Sequence, residues 1–274
     1  MKSQRKRQNF YSEIKKLKLK TKNNYYKLPI LDGLELFEAK QHKLNFPFHA
    51  HKTFNITLVI EQPFSTKLSN RFLQATAGTI VITNPDEVHA TICDNKIGNS
   101  FFTFYVPPDV LKMLNNNKLV FFDNKIISDE LLFRKLYALS QNNYIAECNL
   151  EKELLSLLKY LVVKHATGDF AVHQENKLFR KFLEEEAFEK FSLEKTAYRF
   201  GLNKYKFLRL FKQESGLTPN NYVILKRVEK CKKLLQTQDD LLDIAIQTGF
   251  YDATHLCKHF KKITGITPLT YRNA

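Results

Sequence analysis

No stretch of this 274-residue chain is long and apolar enough to span a bilayer. The best candidate, Leu154 to Val163, is short and broken by Lys159. The first residues are basic without an apolar core behind them, so they do not read as a secretory signal. Cysteine is scarce. Cys93, Cys148, Cys231 and Cys257 stand at wide, irregular spacings, which fit neither a zinc pattern nor a disulfide framework. A reducing cytoplasm is the expected compartment, with no membrane contact. A Gly-x-Ser-x-Gly elbow and a Gly-rich phosphate loop are also missing, so no catalytic residue is assigned and an enzyme is not expected.

Acids are in short supply as well: 28 Asp and Glu against 43 Lys and Arg, a net charge of +15. The excess is not spread evenly. Residues 1–30 hold ten basic residues and one acid, residues 31–174 hold fourteen and fifteen, and residues 175–274 hold nineteen and twelve. A neutral middle between basic ends points to a polyanion partner for the ends and a different task between them.

The chain does have a duplication. Phe211, Lys212, Gly216, Thr218, Pro219 and Tyr222 recur as Phe260, Lys261, Gly265, Thr267, Pro268 and Tyr271, each offset by 49 positions. Upstream, Leu193, Ala197 and Gly201 recur as Leu241, Ala245 and Gly249 at an offset of 48. The one-residue slip after each glycine is what a loop insertion produces. Two copies are too few for a solenoid and suit a tandem module with two equivalent working faces. In each copy a short helix is capped (Ser192, Asp240), ended by glycine (Gly201, Gly249) and followed by a second capped helix (Asn203, Asp252). That is a helix-turn-helix. A helix is also expected over about 175–190, before the first copy.

Within the second helices, Phe207 with Phe211, and Leu256 with Phe260, form the buried stripes. Tyr205, Leu208, Arg209 and Lys212 share the outward face of the first. Thr254, Cys257, Lys258 and Lys261 share that of the second, with His255 beside them. Arg209 can pair with a guanine edge and Thr254 can read a base, while Lys212 and Lys261 suit phosphate. Thr218-Pro219 begins a connecting helix to near Gln236, roughly 28 Å at about 1.5 Å per residue. One duplex turn is about 34 Å.

The middle is written in short β-type runs, 54–60, 78–83 and 101–106, bounded by Asp32-Gly33, Asn84-Pro85-Asp86 and Pro107-Pro108. They predict a small barrel or jelly roll able to hold one ligand. His49 and His51 alternate on one face, and His89 joins them. Asn55 occupies the place where a carboxylate ligand is expected, so the three are assigned to a small-molecule pocket, with a metal site and plain structural histidines at the barrel mouth as the alternatives, and no metal or cofactor is assigned. From about residue 128 the period turns helical. Leu150, Leu154, Leu157, Leu158 and Leu161 form a stripe for the barrel's outer wall or for a second copy of the chain.

Two segments resemble a known family. Phe46-Pro47-Phe48-His49-Ala50-His51, Leu58-Val59-Ile60-Glu61, and Gly78 with Asn84-Pro85-Asp86-Glu87-Val88-His89 look like the cupin-type sensor half of AraC/XylS transcription regulators. Asp86 stands where the family usually has glycine. Ala245, Gly249-Phe250, Phe260-Lys261, Gly265-Ile266-Thr267-Pro268 and Tyr271-Arg272 resemble that family's DNA-binding domain. The resemblance places base contacts at Tyr205, Leu208 and Arg209, then at Ala253, Thr254, His255 and Lys258; Lys204 completes the DNA-binding set. It implies double-stranded DNA, RNA polymerase, a small effector and a homodimer as partners, often with activation as the outcome.

The fold expected is α+β and multidomain: a cupin-like β-barrel with C-terminal helices, then an all-α domain of two helix-turn-helix units joined by a long helix. The boundaries are 1–24 for a basic flexible tail, 25–166 for the sensing domain, 167–175 for a linker and 176–274 for the DNA-binding domain. The function expected is an effector-controlled, sequence-specific regulator. A metal-dependent cupin enzyme with an accessory helical domain is the alternative.

Overall fold

The computed structural model describes residues 23–274, apart from 32, 70, 142–146, 168–177 and 238. Most of the basic tail and nearly all of the linker therefore lie outside the described residues, as does the start of the helix expected from 175. Among the described residues no helix is long and apolar enough to cross a membrane.

Among the described residues, ten strands form two antiparallel sheets. In chain order they are β1 (Asn23–Leu28), β2 (Leu34–His42), β3 (Phe46–His49), β4 (Phe54–Glu61), β5 (Phe64–Leu68), β6 (Phe72–Ala75), β7 (Ile80–Thr83), β8 (His89–Ile92), β9 (Asn99–Val106) and β10 (Ile126–Ile127). One sheet runs β1-β2-β9-β4-β7-β10 and the other β3-β8-β5-β6. The first strand begins at Asn23, so the last two residues assigned to the tail belong to the sheet.

Strict alternation sorts the larger sheet into two faces. Phe54, Ile56, Leu58, Ile80, Ile82, Phe102, Phe104 and Val106 point outward into one apolar cluster. Asn55, Thr57, Val81, Thr83, Phe101, Thr103 and Tyr105 line the interior. Three helices cover the outer face: α1 (Pro108–Leu114), α2 (Glu130–Gln141) and α3 (Glu147–His165). Pro107-Pro108, expected to be only a turn, also starts α1, because proline's fixed φ and missing N–H suit a first helical position. Leu154, Leu158 and Leu161 are buried against this wall, with Leu150 and Leu157 packed beside them. The leucine stripe thus serves the barrel itself. Asp129 ties the helices together: it caps α2 through Leu132 N–H and accepts Lys164 Nζ at 2.7 Å from the end of α3.

The remainder is helical: α4 (Leu178–Glu186), α5 (Leu193–Arg199), α6 (Lys204–Ser215), α7 (Pro219–Leu234), α8 (Leu241–Gln247), α9 (Ala253–Thr264) and α10 (Pro268–Arg272). Each expected cap is in place: Ser192, Asn203, Asp240 and Asp252 accept a first-turn N–H. Thr218 and Thr267 do the same for α7 and α10. Gly201 and Gly249 follow α5 and α8 in left-handed backbone, at φ +64° and +79°. The connecting helix α7 has 16 residues, two short of the expected end, and so spans roughly 24 Å. Phe207, Phe211 and Phe260 are fully buried; truncating any one to alanine should cost about 3–5 kcal/mol.

The two halves share a seam. Ile263 of α9 lines the barrel interior. Gly265, just past α9, lies so close to Phe37 and Phe46 that an added Cβ would sit 2.9 and 3.0 Å from their rings. Beside it, Glu35 of β2 accepts hydrogen bonds from Tyr25 Oη at 2.5 Å, Lys232 Nζ at 2.9 Å and Tyr271 Oη. Burial pushes the Glu35 carboxyl up, but Lys232 and the phenol donors outweigh it and hold the net value below the ordinary one.

Candidate nucleic-acid interface and barrel cavity

Asn203 Oδ1 accepts Lys206 N–H at 2.9 Å, which starts α6 and turns Phe207 and Phe211 inward. The same rotation turns Tyr205, Leu208, Arg209 and Lys212 to solvent. Tyr205 is 75% exposed and Leu208 37%, so the expected reading face of the first unit is free. Lys204 Nζ is 3.0 Å from Glu194 Oε1, an exposed pair that holds the ammonium only weakly.

Asp252 does the same for α9, accepting His255 N–H at 2.6 Å. Thr254, Lys258 and Lys261 are exposed; Ala253 and His255 are half-buried. The His255 ring stands edge-on to Phe250 and to His259, at centroid distances of 5.4 and 4.6 Å. These contacts pin the imidazole near its own helix and leave Thr254 and Lys258 more exposed on the face. Two exposed residues were not singled out in the sequence: Tyr198 at 84% and Tyr251 at 89%. An aromatic beside the turn glycine at Gly249 was the available signal for Tyr251.

The barrel brings its three histidines together. His49 pairs with His89 across β3 and β8. His51 follows β3 with its ring centroid 4.7 Å from His49 and 5.4 Å from His89. Burial drives all three imidazoles toward the neutral form, His49 to about 3, and proximity adds to the shift at His49 and His51. The cavity they line with Asn55, Thr57 and Tyr105 is only about 40 Å3. Asp86 adopts φ +61°, so it takes the left-handed turn that glycine usually supplies there.

A larger space of about 320 Å3 opens at the seam, which sequence reasoning missed. Lys52, Asp86, Glu184 and Lys226 lie around it. Its charges are largely answered from within, with Lys52 on Asp86 and Lys226 between Glu184 and Glu229.

A β-barrel with a buried polar interior, joined to two capped helix-turn-helix units with free basic faces, defines a sensor-plus-reader protein of the DNA-binding class. Known proteins agree. Residues 33–148 match an AraC-like ligand binding domain and residues 196–274 a helix-turn-helix domain. The chain is 27% identical to the HTH-type transcriptional regulator YbfI of Bacillus subtilis, across 81% of this chain and 86% of that one. It is 36% identical to the HTH-type transcriptional activator RhaS of Escherichia fergusonii over 92 residues, 33% of each chain. An apo variant of ToxT from Vibrio cholerae shares the fold at a TM-score of 0.55 and 11% identity, covering 92% of this chain and 97% of that one. The chain belongs to the AraC/XylS family of transcription regulators.

Proposed function

We propose that this regulator reads its operator through Tyr205, Leu208 and Arg209 in the first unit and Ala253, Thr254, His255 and Lys258 in the second. Lys204, Lys212 and Lys261 hold phosphates. The observation that supports this most is the repetition itself: two helices, capped alike and turned alike, leave matching basic faces in solvent. A lone amphipathic helix carries no such weight.

The barrel takes a small effector on His49, His51 and His89, and its occupancy biases the second unit through Ile263. Any effector must bind two states of the seam unequally to do so. RNA polymerase and a second copy of this chain are the protein partners, the compartment is cytoplasmic, and the protein acts without catalysing a reaction. Selecting sites from random duplex DNA with the full chain tests the reading. A recovered motif whose preference relaxes at one position in Arg209→Ala is expected. No enrichment over random sequence at any salt concentration would sink it.

A further inference from the structure

We propose that residues 1–22 act as an arm that holds DNA phosphates beside the second helix-turn-helix unit, a third contact added to the two reading helices. This rests on the DNA reading above and deepens it. The arm's sequence holds nine Lys and Arg against one acid, Glu13. Five of the nine, Lys15, Lys16, Lys18, Lys20 and Lys22, fall in the eight positions before β1. Point charges at this density suit a phosphate backbone, which they hold without reading sequence.

The structure fixes where the arm is rooted. β1 begins at Asn23, whose Nδ2 donates to the Gly265 carbonyl just past α9, at 3.4 Å. Lys27 of the same strand donates to the Tyr271 carbonyl at 2.7 Å. The strand itself is paired with β2 from Asn23 to Leu28, so the root does not slide. From it, α9 runs 12 residues, roughly 18 Å at about 1.5 Å per residue. Lys15 to Lys22 lie within about 27 Å of the root at full extension. They therefore reach along α9 to the phosphates flanking its groove. The first unit is out of their range. Lys232, at the C-terminal end of α7, meets Tyr25 and Glu35 beside the root. The first unit joins the other end of α7, roughly 24 Å further off.

Charge decides what the arm can rest on. α9 contains no acid, and Lys258, Lys261 and Lys262 are exposed along it. Like charges keep the arm from lying on the reading helix itself. A polyanion between the two is attracted by both. Duplex DNA, with about one negative charge per 1.7 Å of axis, is what the reading face of α9 presents there. The arm thus continues a basic surface that already belongs to the second unit.

The test compares the full chain with a variant carrying Lys15→Gln, Lys16→Gln, Lys18→Gln, Lys20→Gln and Lys22→Gln, which leaves β1 untouched. Both are titrated against an operator recovered by site selection, over a range of salt. The slope of log affinity against log salt should fall by about 3–5, with affinity down at least ~30-fold at low salt. The selected motif should stay the same, because phosphate contacts carry no sequence preference. Arginine at the same five positions should bind as the parent does, which separates charge from any loss of fold. Hydroxyl-radical footprinting of the parent should show added backbone protection at the second unit's half-site, the half whose preference survives Arg209→Ala. An unchanged slope in the glutamine variant overturns the proposal, as does added protection at the first unit's half or at both. If the motif is still selected in that case, the DNA reading stands and the arm alone fails. A parent that binds no duplex takes both down. Binding to phosphatidylserine vesicles that the five substitutions abolish, with the DNA slope unchanged, would give the arm to a membrane surface instead.

Discussion

The two helix-turn-helix units were cut from one pattern and are held in different company. Their second helices share caps, a left-handed glycine at the C-terminus (φ +72° and +79°) and a following Thr-Pro. Their surroundings then part. Tyr222, in the first unit, donates its hydroxyl to Glu184 within the helical half, at 2.7 Å. Its counterpart Tyr271 donates to Glu35 on the barrel. Gly201 has open space around it, whereas Gly249 presses on the Phe188 carbonyl and the Arg227 guanidinium. Both units touch the barrel, the first where Gly216 meets Val88, but among the described residues only the second, through Ile263, reaches the barrel's interior lining.

The sharpest way to break that contrast is a pair of matched substitutions. At Gly249 a Cβ would sit 2.6 Å from the Phe188 oxygen. Gly249→Ala combines positive-φ strain with overpacking and should cost about 3–4 kcal/mol in urea unfolding. Gly201→Ala meets only the strain, about 1 kcal/mol. Equal costs would mean the turns are not packed as described.

Next in size are the reading faces. Arg209→Ala should cost on the order of 1–3 kcal/mol at one base pair, while Lys212→Ala and Lys261→Ala should weaken binding to all sequences and lower the salt slope by about 1 each. Uniform losses for all three would remove the distinction between reading and holding.

The seam gives an effect of similar size, with a pH signature. Glu35→Gln should destabilise the folded state by about 1–3 kcal/mol and speed amide exchange in α10. The carboxyl faces Tyr25, Tyr271, Lys232 and, further off, Lys27. Its folded value lies below the unfolded one, so its contribution is present in full above the ordinary carboxylate range. It is lost as pH falls through the folded value. Glu184→Gln, at the matching tyrosine of the first unit, should leave α10 exchange unchanged. The smallest effect belongs to Lys204→Ala: unfolding unchanged, and DNA affinity slightly lower at low salt.

What the sequence could convey divides along physical lines. Caps at Asn203, Thr218 and Asp252 act three residues away, so local text reveals them. The histidines at 49 and 51 share a face by strand period, and the turn before His89 was recognisable by its Asn-Pro. The helix at Pro108 hid because Pro-Pro serves equally as a turn. The seam was hidden altogether. Glu35 and Tyr271 are 236 positions apart, and no periodicity links a strand at one end to a tyrosine at the other. The cavity's small volume was equally invisible, since it depends on how far Ile263 and the ring of Phe37 reach inward.

Ile263 belongs at once to the barrel lining and to the apolar core around α9. The halves are therefore not interchangeable parts. Grafting this sensor onto a foreign reader would have to carry residues 263–271 across with it, and the turn after α6 as well, since Gly216 lies against Val88, the neighbour of His89.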